Sequence, residues 1–212
     1  MNVYLSGQGG FGVAVAEAVV GQGHTIVGIA APQHRKRHSY AADGENPMTW
    51  DRLRSWAYSR GIEWTPASDL RAQHIPDKTD VVLAAHSHAF IGRRTRARAR
   101  VAAIGYYPSL LPLHRSRDAV RWTIRDADRV TGGSVYQLTE CTDAGAIAAE
   151  EHVIVPPRST AESLWCEQLA PWVFASSCGC GRPRPRRPHR GPAGRSPCLV
   201  KAGHGRRSLV QA

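Results

Sequence analysis

Short, almost wholly apolar segments alternate with segments that predict helices, and this alternation constrains the fold more than any other feature of the chain. The apolar runs that predict strands are residues 2–6, 25–30, 80–85 and 103–107. Near-continuous apolar runs are typical of strands that helices cover on both faces of a sheet. Helices are predicted over residues 13–20 and 50–60, the second closing at Gly61. The sequence therefore predicts an α/β fold with a doubly wound, mainly parallel sheet, in which ligands bind beyond the carboxyl ends of the strands.

The basic charge is concentrated at one end of the chain. The net charge is +11 over 212 residues, from 28 Lys and Arg against 17 Asp and Glu. Residues 176–212 hold nine of the basic residues and no acidic one, which leaves 19 basic and 17 acidic residues, a balance of +2, in residues 1–175. We therefore predict a near-neutral folded domain over 1–175 and a separate Arg-, Pro- and Gly-rich tail over 176–212.

The tail has two interpretations that the sequence leaves open. As an evolved arm it would bind nucleic acid by neutralising phosphates. As a frameshift product it would be the translation of GC-rich DNA in the wrong reading frame, which yields alternating Arg, Pro and Gly with scattered Cys and His. Either way its composition predicts disorder, because it cannot bury enough apolar surface to offset the entropy of ordering. No metal site is predicted, because Cys178 and Cys180 lack a second pair at zinc-site spacing.

A glycine-rich turn follows the first predicted strand. Its sequence, Gly7-Gln8-Gly9-Gly10-Phe11-Gly12, fits the G-x-G-x-x-G pattern that places a pyrophosphate at a helix N-terminus. The acidic residue that would bind a ribose about 20 positions further on is missing, since residues 29–32 are Ile-Ala-Ala-Pro and the next acidic residue is Asp43. We therefore interpret the turn as a place where a polar or anionic substrate group approaches the backbone. The predicted binding residues are Gly9, Gly10, Phe11 and Gly12.

The most informative motifs begin in the strand predicted over 103–107. They read Gly105-Tyr106-Tyr107-Pro108-Ser109-Leu110-Leu111-Pro112, then Gly132-Gly133-Ser134 and Thr142-Asp143-Ala144-Gly145. With these motifs residues 1–175 resemble the 10-formyltetrahydrofolate-dependent formyltransferase family, as in the N-terminal catalytic domain of methionyl-tRNA formyltransferases. The family pattern is Asn-x-His-(Pro/Gly)-Ser-Leu-Leu-Pro, an Arg-Gly shortly after, a Gly-(Ser/Thr) strand and an Asp-x-Gly loop. The resemblance implies a Rossmann-like formyltransferase fold and formyl transfer from 10-formyltetrahydrofolate to a primary amine.

The resemblance also implies three catalytic positions, and two of them carry unexpected side chains. In the family an Asn and a His hydrogen-bond the tetrahedral oxyanion, while an Asp sets the charge state of the His and helps to move protons. These positions fall on Gly105, Tyr107 and Asp143, and the Gly of the Arg-Gly element falls on Ser116. A phenol can donate a hydrogen bond, but it is a poor proton shuttle at neutral pH. Restoring the pattern, with Gly105→Asn and Tyr107→His, is therefore predicted to raise formyl transfer.

Residues that bind the folate and the amine also follow from the resemblance. The pterin of 10-formyltetrahydrofolate is predicted to contact His88, Ala89, Phe90, Ile91, Thr139, Glu140, Cys141 and Thr142. The amine substrate is predicted to face the glycine turn together with Pro108, Ser109 and Leu110. His88 has two interpretations, as a compensating acid or base and as an exposed loop histidine. His114 is predicted to lie at the surface of a loop.

Three functions remain compatible with the sequence. The first is formyl transfer, at a reduced rate, to methionyl-tRNA, a sugar amine or another small amine. The second is an inactive paralogue that only binds folate, and the third is nucleic-acid binding through the basic tail. Methionyl-tRNA formyltransferases carry a second, β-barrel domain for which this chain has no room, so a sugar amine is as suitable an acceptor as charged tRNA. The N-terminus lacks a basic leader, and no window approaches the ~20 apolar residues of a membrane span, which predicts a cytoplasmic location and no membrane partner.

Overall fold

The computed structural model describes residues 1–33, 50–87 and 89–170 of the chain. The strands in these ranges are β1 Asn2–Gly7, β2 Thr25–Ala31, β3 Trp64–Pro66, β4 Val81–Ala85, β5 Ala102–Tyr107, β6 Val130–Gln137 and β7 Ile147–Ile154. The helices are α1 Gly9–Gly21, α2 Arg52–Tyr58, α3 Arg93–Arg96, α4 Ala119–Arg125 and α5 Ala161–Ser163, and α5 continues as a π-helical turn at Leu164–Leu169.

The strands of the described ranges form one seven-stranded sheet in the order β3-β2-β1-β4-β5-β6-β7. The pairs from β3 to β5 are parallel, whereas β6 and β7 are added antiparallel at one edge. Chain order reverses at β1, which has β2 on one side and β4 on the other, and this reversal creates the crevice in which open α/β sheets bind ligands. The predicted α/β fold with a doubly wound, mainly parallel sheet is confirmed. Each of the four predicted strands agrees with an observed strand to within one residue at either end.

Apolar side chains on both faces of the central strands hold the sheet between its helices. Successive residues of a strand point to opposite faces, so Tyr4 and Leu5 of β1 enter different clusters. Leu5 is fully buried against Phe11 of α1 and Leu53 of α2, while Tyr4 packs with Val82 on the other face. Full burial of an aliphatic side chain is worth about 1.5–3 kcal/mol. The two clusters therefore hold β1 and its neighbours β2 and β4 in place.

Helix α2 begins two residues later than predicted because Asp51 acts as its cap. The Asp51 carboxylate accepts a hydrogen bond from the backbone N–H of Leu53 at 2.8 Å, which satisfies one of the free donors of the first turn. Its two oxygens also lie 3.0 and 2.9 Å from the backbone nitrogen of Gly9. The start of α1 is thereby tied to the start of α2. Gly61, the predicted closing residue, has a φ of +63°.

The described chain ends with the π-helical turn, which packs back on the sheet. Leu164 and Leu169 are buried with Val153 of β7, and the backbone N–H of Ala170 donates to the carbonyl of Trp165 at 2.8 Å. Among residues 1–33, 50–87 and 89–170, no helix is both long and apolar enough to traverse a bilayer. The predicted tail, residues 176–212, lies outside the described residues. The domain boundary at 175 and the cytoplasmic location stay predictions.

Candidate functional site

The three positions predicted to be catalytic lie together at the end of β5. Gly105 and Tyr107 are two residues apart on β5, so they face the same side of the sheet. Tyr136 of β6 is the cross-strand partner of Gly105, and its hydroxyl donates to Asp143 Oδ1 at 2.7 Å. The rings of Tyr107 and Tyr136 meet edge to face with their centroids 6.5 Å apart. The group of side chains at this site therefore includes Tyr136, which is not one of the residues predicted from the sequence.

Tyr136 and Leu138 cover the face of Gly105. A Cβ atom at position 105 would lie 3.0 Å from Tyr136 Cε1 and 2.9 Å from Leu138 Cδ2, closer than side chains normally approach. Because Gly105 has no side chain, the phenol ring occupies the space directly over the strand. An amide side chain at position 105 and the Tyr136 ring in its present place exclude each other.

Two donors orient the carboxylate of Asp143. Oδ1 accepts the hydroxyl of Tyr136, and Oδ2 accepts the backbone N–H of Ser116 at 3.1 Å. Asp143 itself has a φ of +50°, in the left-handed region that aspartate tolerates better than most residues. The carboxylate is half-buried and is held between β6 and the loop that follows β5. This arrangement leaves a fixed acceptor next to the two phenols.

The hydroxyl of Tyr107 points into its own loop. It lies 2.7 Å from the carbonyl oxygen of His114 and 2.7 Å from that of Ser116, so its single proton is shared between two backbone acceptors. Tyr107 is 8% exposed. The phenol therefore anchors the loop, and it has no second proton to donate to a substrate oxygen.

Ser116 supports the alignment with the glycine of the Arg-Gly element. Its φ of +95° lies in the region that glycine adopts without steric cost and that L side chains rarely adopt. Its backbone N–H binds Asp143 while its carbonyl receives Tyr107. A serine at this position thus keeps a glycine-like backbone that joins two of the predicted catalytic residues.

Side chains of the loop after β5, residues 108–118, and of the neighbouring segments hold that loop in place. His114 Nε2 lies 2.6 Å from Asp128 Oδ2, and the His114 side chain is only 13% exposed. The prediction that His114 lies at the surface is therefore wrong, because the carboxylate of Asp128 draws the ring inward. Ser134 Oγ accepts from the backbone N–H of Leu111 at 2.9 Å and donates to the carbonyl of Ser109 at 2.7 Å. These contacts fix the loop on β6.

Burial keeps both phenols protonated. Desolvation is the largest cause that raises the pKa of Tyr136, and its hydrogen bond to Asp143 and the negative charge of that carboxylate raise the pKa further. Desolvation also raises the pKa of Tyr107, with the charges of Asp143 and Asp118 adding to the effect. Both residues are therefore neutral at physiological pH, and each presents one O–H donor and an oxygen that accepts.

The segments predicted to bind the pterin lie near the same sheet edge. Ile91 is 5% exposed and belongs to a core cluster, whereas Phe90 is 67% exposed. Glu140 is 3.8 Å from Arg93, which brings its loop close to the start of α3. His88 lies outside the described residues. The backbone N–H of Ala89 donates to Ser87 Oγ at 3.2 Å. The roles of Ala89, Phe90, Ile91, Thr139, Glu140, Cys141 and Thr142 stay predictions.

The residues predicted to face the amine differ in exposure. Phe11 is 7% exposed, with its ring 5.2 Å from that of Tyr106 and 5.1 Å from that of Trp165, measured between centroids. Gly12 packs against Leu53, and Ser109 directs its hydroxyl to the carbonyl of Leu113 at 2.6 Å. The remaining predicted contacts are half-buried or exposed, namely Gly9, Gly10, Pro108 and Leu110.

A cavity of about 170 Å³ opens at the crevice between β1 and β4. Its walls are Gly7, Gln8, Pro32, Ala67, Ser68, Ser87 and Ala89. None of these residues carries a charged side chain. Within the described ranges, no three His, Cys, Asp or Glu side chains are grouped so that they could hold a metal ion. The lining residues lie at or beyond the carboxyl ends of β1, β2, β3 and β4, and none of them belongs to β5 or β6.

The chain is similar to known formyltransferases over most of its described length. The sequence pattern of the formyl transferase family matches residues 3–169. A GDP-perosamine N-formyltransferase of Brucella melitensis is 30% identical over 159 residues, which are 72% of this chain and 56% of that protein. A methionyl-tRNA formyltransferase of Anaeromyxobacter sp. is 28% identical over 173 residues, which are 77% of this chain and 53% of that protein.

Solved structures show the same fold. An N-formyltransferase of Helicobacter canadensis, in complex with folinic acid and dTDP-3-aminofucose, matches with a TM-score of 0.59 and 13% identity over 82% of this chain and 61% of that one. The chain spans about half the length of the curated relatives it matches. Members of this family take the formyl group from formyl-tetrahydrofolate. The family match covers all seven strands from Val3 onward and the cluster around Asp143, and the chain therefore belongs to the formyl transferase family.

Proposed function

We propose that this chain transfers a formyl group from 10-formyltetrahydrofolate to a primary amine at the site around Asp143. The observation that carries the proposal is the carboxylate of Asp143, which Tyr136 and Ser116 hold at the end of β5 by hydrogen bonds of 2.7 and 3.1 Å. An amine that attacks a formyl carbon must lose a proton, and a fixed carboxylate within reach supplies the acceptor.

The rate of transfer is reduced because the site is poor in donors for the oxyanion. Tyr107 gives its proton to backbone carbonyls, and Tyr136 gives its proton to Asp143. Gly105 has only its backbone N–H. The loss of one oxyanion donor costs about 10²–10³ in rate, so the absence of two side-chain donors leaves a slow enzyme.

We propose a sugar amine as the acceptor. The 30% identical relative acts, by its name, on GDP-perosamine, which is a sugar amine. Charged tRNA would need free cations for its phosphates, and three of the five arginines in the basic run 93–100 are paired with carboxylates. Within that run, Arg98 is paired with Asp77, and Arg100 lies 3.6 Å from Asp80. These ion pairs favour the small acceptor over the nucleic acid.

The folate would bind between residues 89–91 and residues 139–142. Support comes from the proximity of the two segments, since Glu140 of the second lies 3.8 Å from Arg93, two residues beyond the first. The exposed ring of Phe90 offers an apolar surface to a pterin. Polar backbone groups of the 139–142 loop would complete the contacts, as the resemblance implies. No metal is needed for formyl transfer of this kind.

Titration of the full chain with a stable 10-formyltetrahydrofolate analogue, followed by a transfer assay, tests the proposal. We expect micromolar binding by calorimetry and slow formylation of a nucleotide-linked amino sugar such as GDP-perosamine. Asp143→Asn is the matched variant, since it keeps the shape of the side chain. It should bind the analogue and transfer at least about 10²-fold more slowly. A folded protein that binds no analogue would refute the proposal.

A paralogue that binds folate without turnover is the second candidate. The orientation of the Tyr107 hydroxyl favours this candidate. Tyr107 occupies the position of the family's histidine, and its hydroxyl donates to carbonyl groups of its own loop instead of pointing to a substrate. Binding of the analogue together with no formylation of any amine in a panel of sugar amines, methionyl-tRNA and hydroxylamine would establish this alternative. Formylation of any member of the panel would exclude it.

A further inference from the structure

We propose that Tyr136 is a catalytic residue that takes a proton from the attacking amine while its own proton passes to Asp143. The inference rests on the proposed function and gives a role to a residue that the sequence alone does not single out. It follows from three features of the site. These are the position of the Tyr136 ring, the direction of its proton and the contrast with Tyr107.

The position of the ring places Tyr136 where the catalytic pattern has a gap. Tyr136 is opposite Gly105 in the β5–β6 register, and its Cε1 and Cζ atoms lie 3.0 and 3.1 Å from where a Cβ at position 105 would be. The phenol therefore fills the volume that a side chain from position 105 would otherwise enter. Tyr136 retains 7% of its surface exposed, and Asp143 beside it is half-buried.

The direction of its proton decides what Tyr136 can do. The hydroxyl donates its only proton to Asp143 Oδ1 at 2.7 Å, so the phenolic oxygen has only acceptor capacity left. An oxyanion needs donors, whereas a primary amine presents N–H groups. Tyr136 is thus suited to bind the nucleophile and unsuited to stabilise the oxyanion.

Tyr107 differs in the partner that receives its proton. Its hydroxyl is 2.7 Å from the carbonyl oxygens of His114 and Ser116, which cannot take up a proton at neutral pH. Tyr136 has a carboxylate as partner and can therefore pass a proton on. Of the two phenols that meet edge to face, only Tyr136 is connected to a base.

The reaction is balanced in bonds and protons. The amine nitrogen forms a bond to the formyl carbon, and the carbonyl π pair moves to oxygen. The N–H proton goes to the Tyr136 oxygen as the phenolic proton goes to Asp143. When the C=O bond re-forms, the bond between the formyl carbon and folate N10 breaks, and its electron pair takes a proton returned from Asp143 through Tyr136. The net result moves one formyl group to the amine and one proton to N10.

Tyr136→Phe is the decisive variant because it removes the hydroxyl and keeps the ring over Gly105. We expect kcat for formyl transfer from 10-formyltetrahydrofolate to GDP-perosamine to fall about 10²-fold or more, with the dissociation constant of the stable folate analogue changed less than about threefold. Tyr106→Phe is the matched control, since it also removes a phenol hydroxyl from the end of β5. Tyr106 is adjacent to Tyr107 in the strand, so its side chain lies on the opposite face of the sheet. This variant should keep kcat within about threefold of wild type.

A double variant separates a relay from two independent contributions. If Tyr136 acts through Asp143, then Tyr136→Phe combined with Asp143→Asn should cost no more in kcat than the larger of the two single changes. The relay would be overturned if the kcat losses of the two single variants multiply in the double variant, or if Tyr136→Phe keeps the wild-type kcat. In either case, formyl transfer by the wild-type chain would still uphold the proposed function. If the wild-type chain binds the analogue but formylates no amine, both the proposed function and the relay fail.

Discussion

The phenol ring of Tyr136 lies over the Cα of Gly105, its partner across the β5–β6 pair. The two residues form one arrangement, in which an aromatic side chain covers a strand glycine and supplies the apolar contact that the glycine lacks. Leu138 completes the cover, at 2.9 Å from where a Cβ of residue 105 would lie. A change at position 105 is therefore also a change in the surroundings of Tyr136 and, through its hydroxyl, of Asp143.

Gly105→Ala should destabilise the fold because the new methyl group meets Tyr136 and Leu138 at contact distances too short for carbon atoms. We expect the free energy of unfolding, measured by urea denaturation, to fall by about 1–3 kcal/mol. Gly21→Ala is the control, since no heavy atom lies within 4 Å of its added Cβ. That variant should be neutral or stabilised by up to about 1 kcal/mol. Equal stability of Gly105→Ala and wild type would contradict the packing described for Tyr136.

Restoring the family side chains should require a third change. An Asn at position 105 competes with the Tyr136 ring for space, so Gly105→Asn with Tyr107→His is expected to transfer formyl groups no faster than wild type. Adding Tyr136→Ala opens the space but removes the proposed relay, at a cost of about 10²-fold. The triple variant should still gain about tenfold or more, because each of the two restored oxyanion donors is worth about 10²–10³ in rate. Transfer to GDP-perosamine measures both variants. A large gain in the double variant alone would show that Tyr136 moves aside without cost.

The sequence predicts β1, β2, β4 and β5 well because buried parallel strands carry continuous apolar runs that end at polar or glycine residues. The gathering of Gly105, Tyr107 and Asp143 is also predictable, since motifs at the ends of adjacent strands meet at one sheet edge. Tyr136 escapes prediction for a different reason. Its role depends on the register of β6 against β5, and the sequence between 130 and 137 does not reveal which residue faces Gly105.

The direction of the Tyr107 hydroxyl is likewise beyond reach of the sequence. It depends on the carbonyls of His114 and Ser116, two residues with positive φ that the sequence marks by no glycine. His114 is turned inward by Asp128, a residue 14 positions away. Loop conformations of this kind are set by tertiary contacts and not by local preference.

Ser116→Gly should stabilise the protein. The φ of +95° at Ser116 strains an L side chain, and the contacts of the residue to Asp143 and Tyr107 use only its backbone. Relief of the strain should stabilise the fold by about 1–3 kcal/mol. Glycine also makes the unfolded chain more flexible, which lowers the stability by only about 0.4–1 kcal/mol. Ser59→Gly, at a φ of −63°, has no strain to relieve and should destabilise. Urea denaturation gives both values, and a loss of stability in Ser116→Gly would refute the strain.

Alkaline pH should destabilise the fold through its buried tyrosines. Burial raises the pKa of Tyr4 to about 12, against a value near 10 in an unfolded chain. Between about pH 10 and 12 the unfolded chain has lost this proton and the folded chain still holds it, so the free energy of unfolding falls as pH rises. The stabilising contribution is complete below about pH 10. Tyr4→Phe should therefore flatten the decline by up to about 1.4 kcal/mol per pH unit in that window, measured by urea denaturation at several pH values. Below about pH 9 the stabilities of the variant and wild type should depend on pH in the same way. If the two curves also run parallel above pH 10, then Tyr4 has the same pKa in the folded and the unfolded chain, and the prediction is wrong.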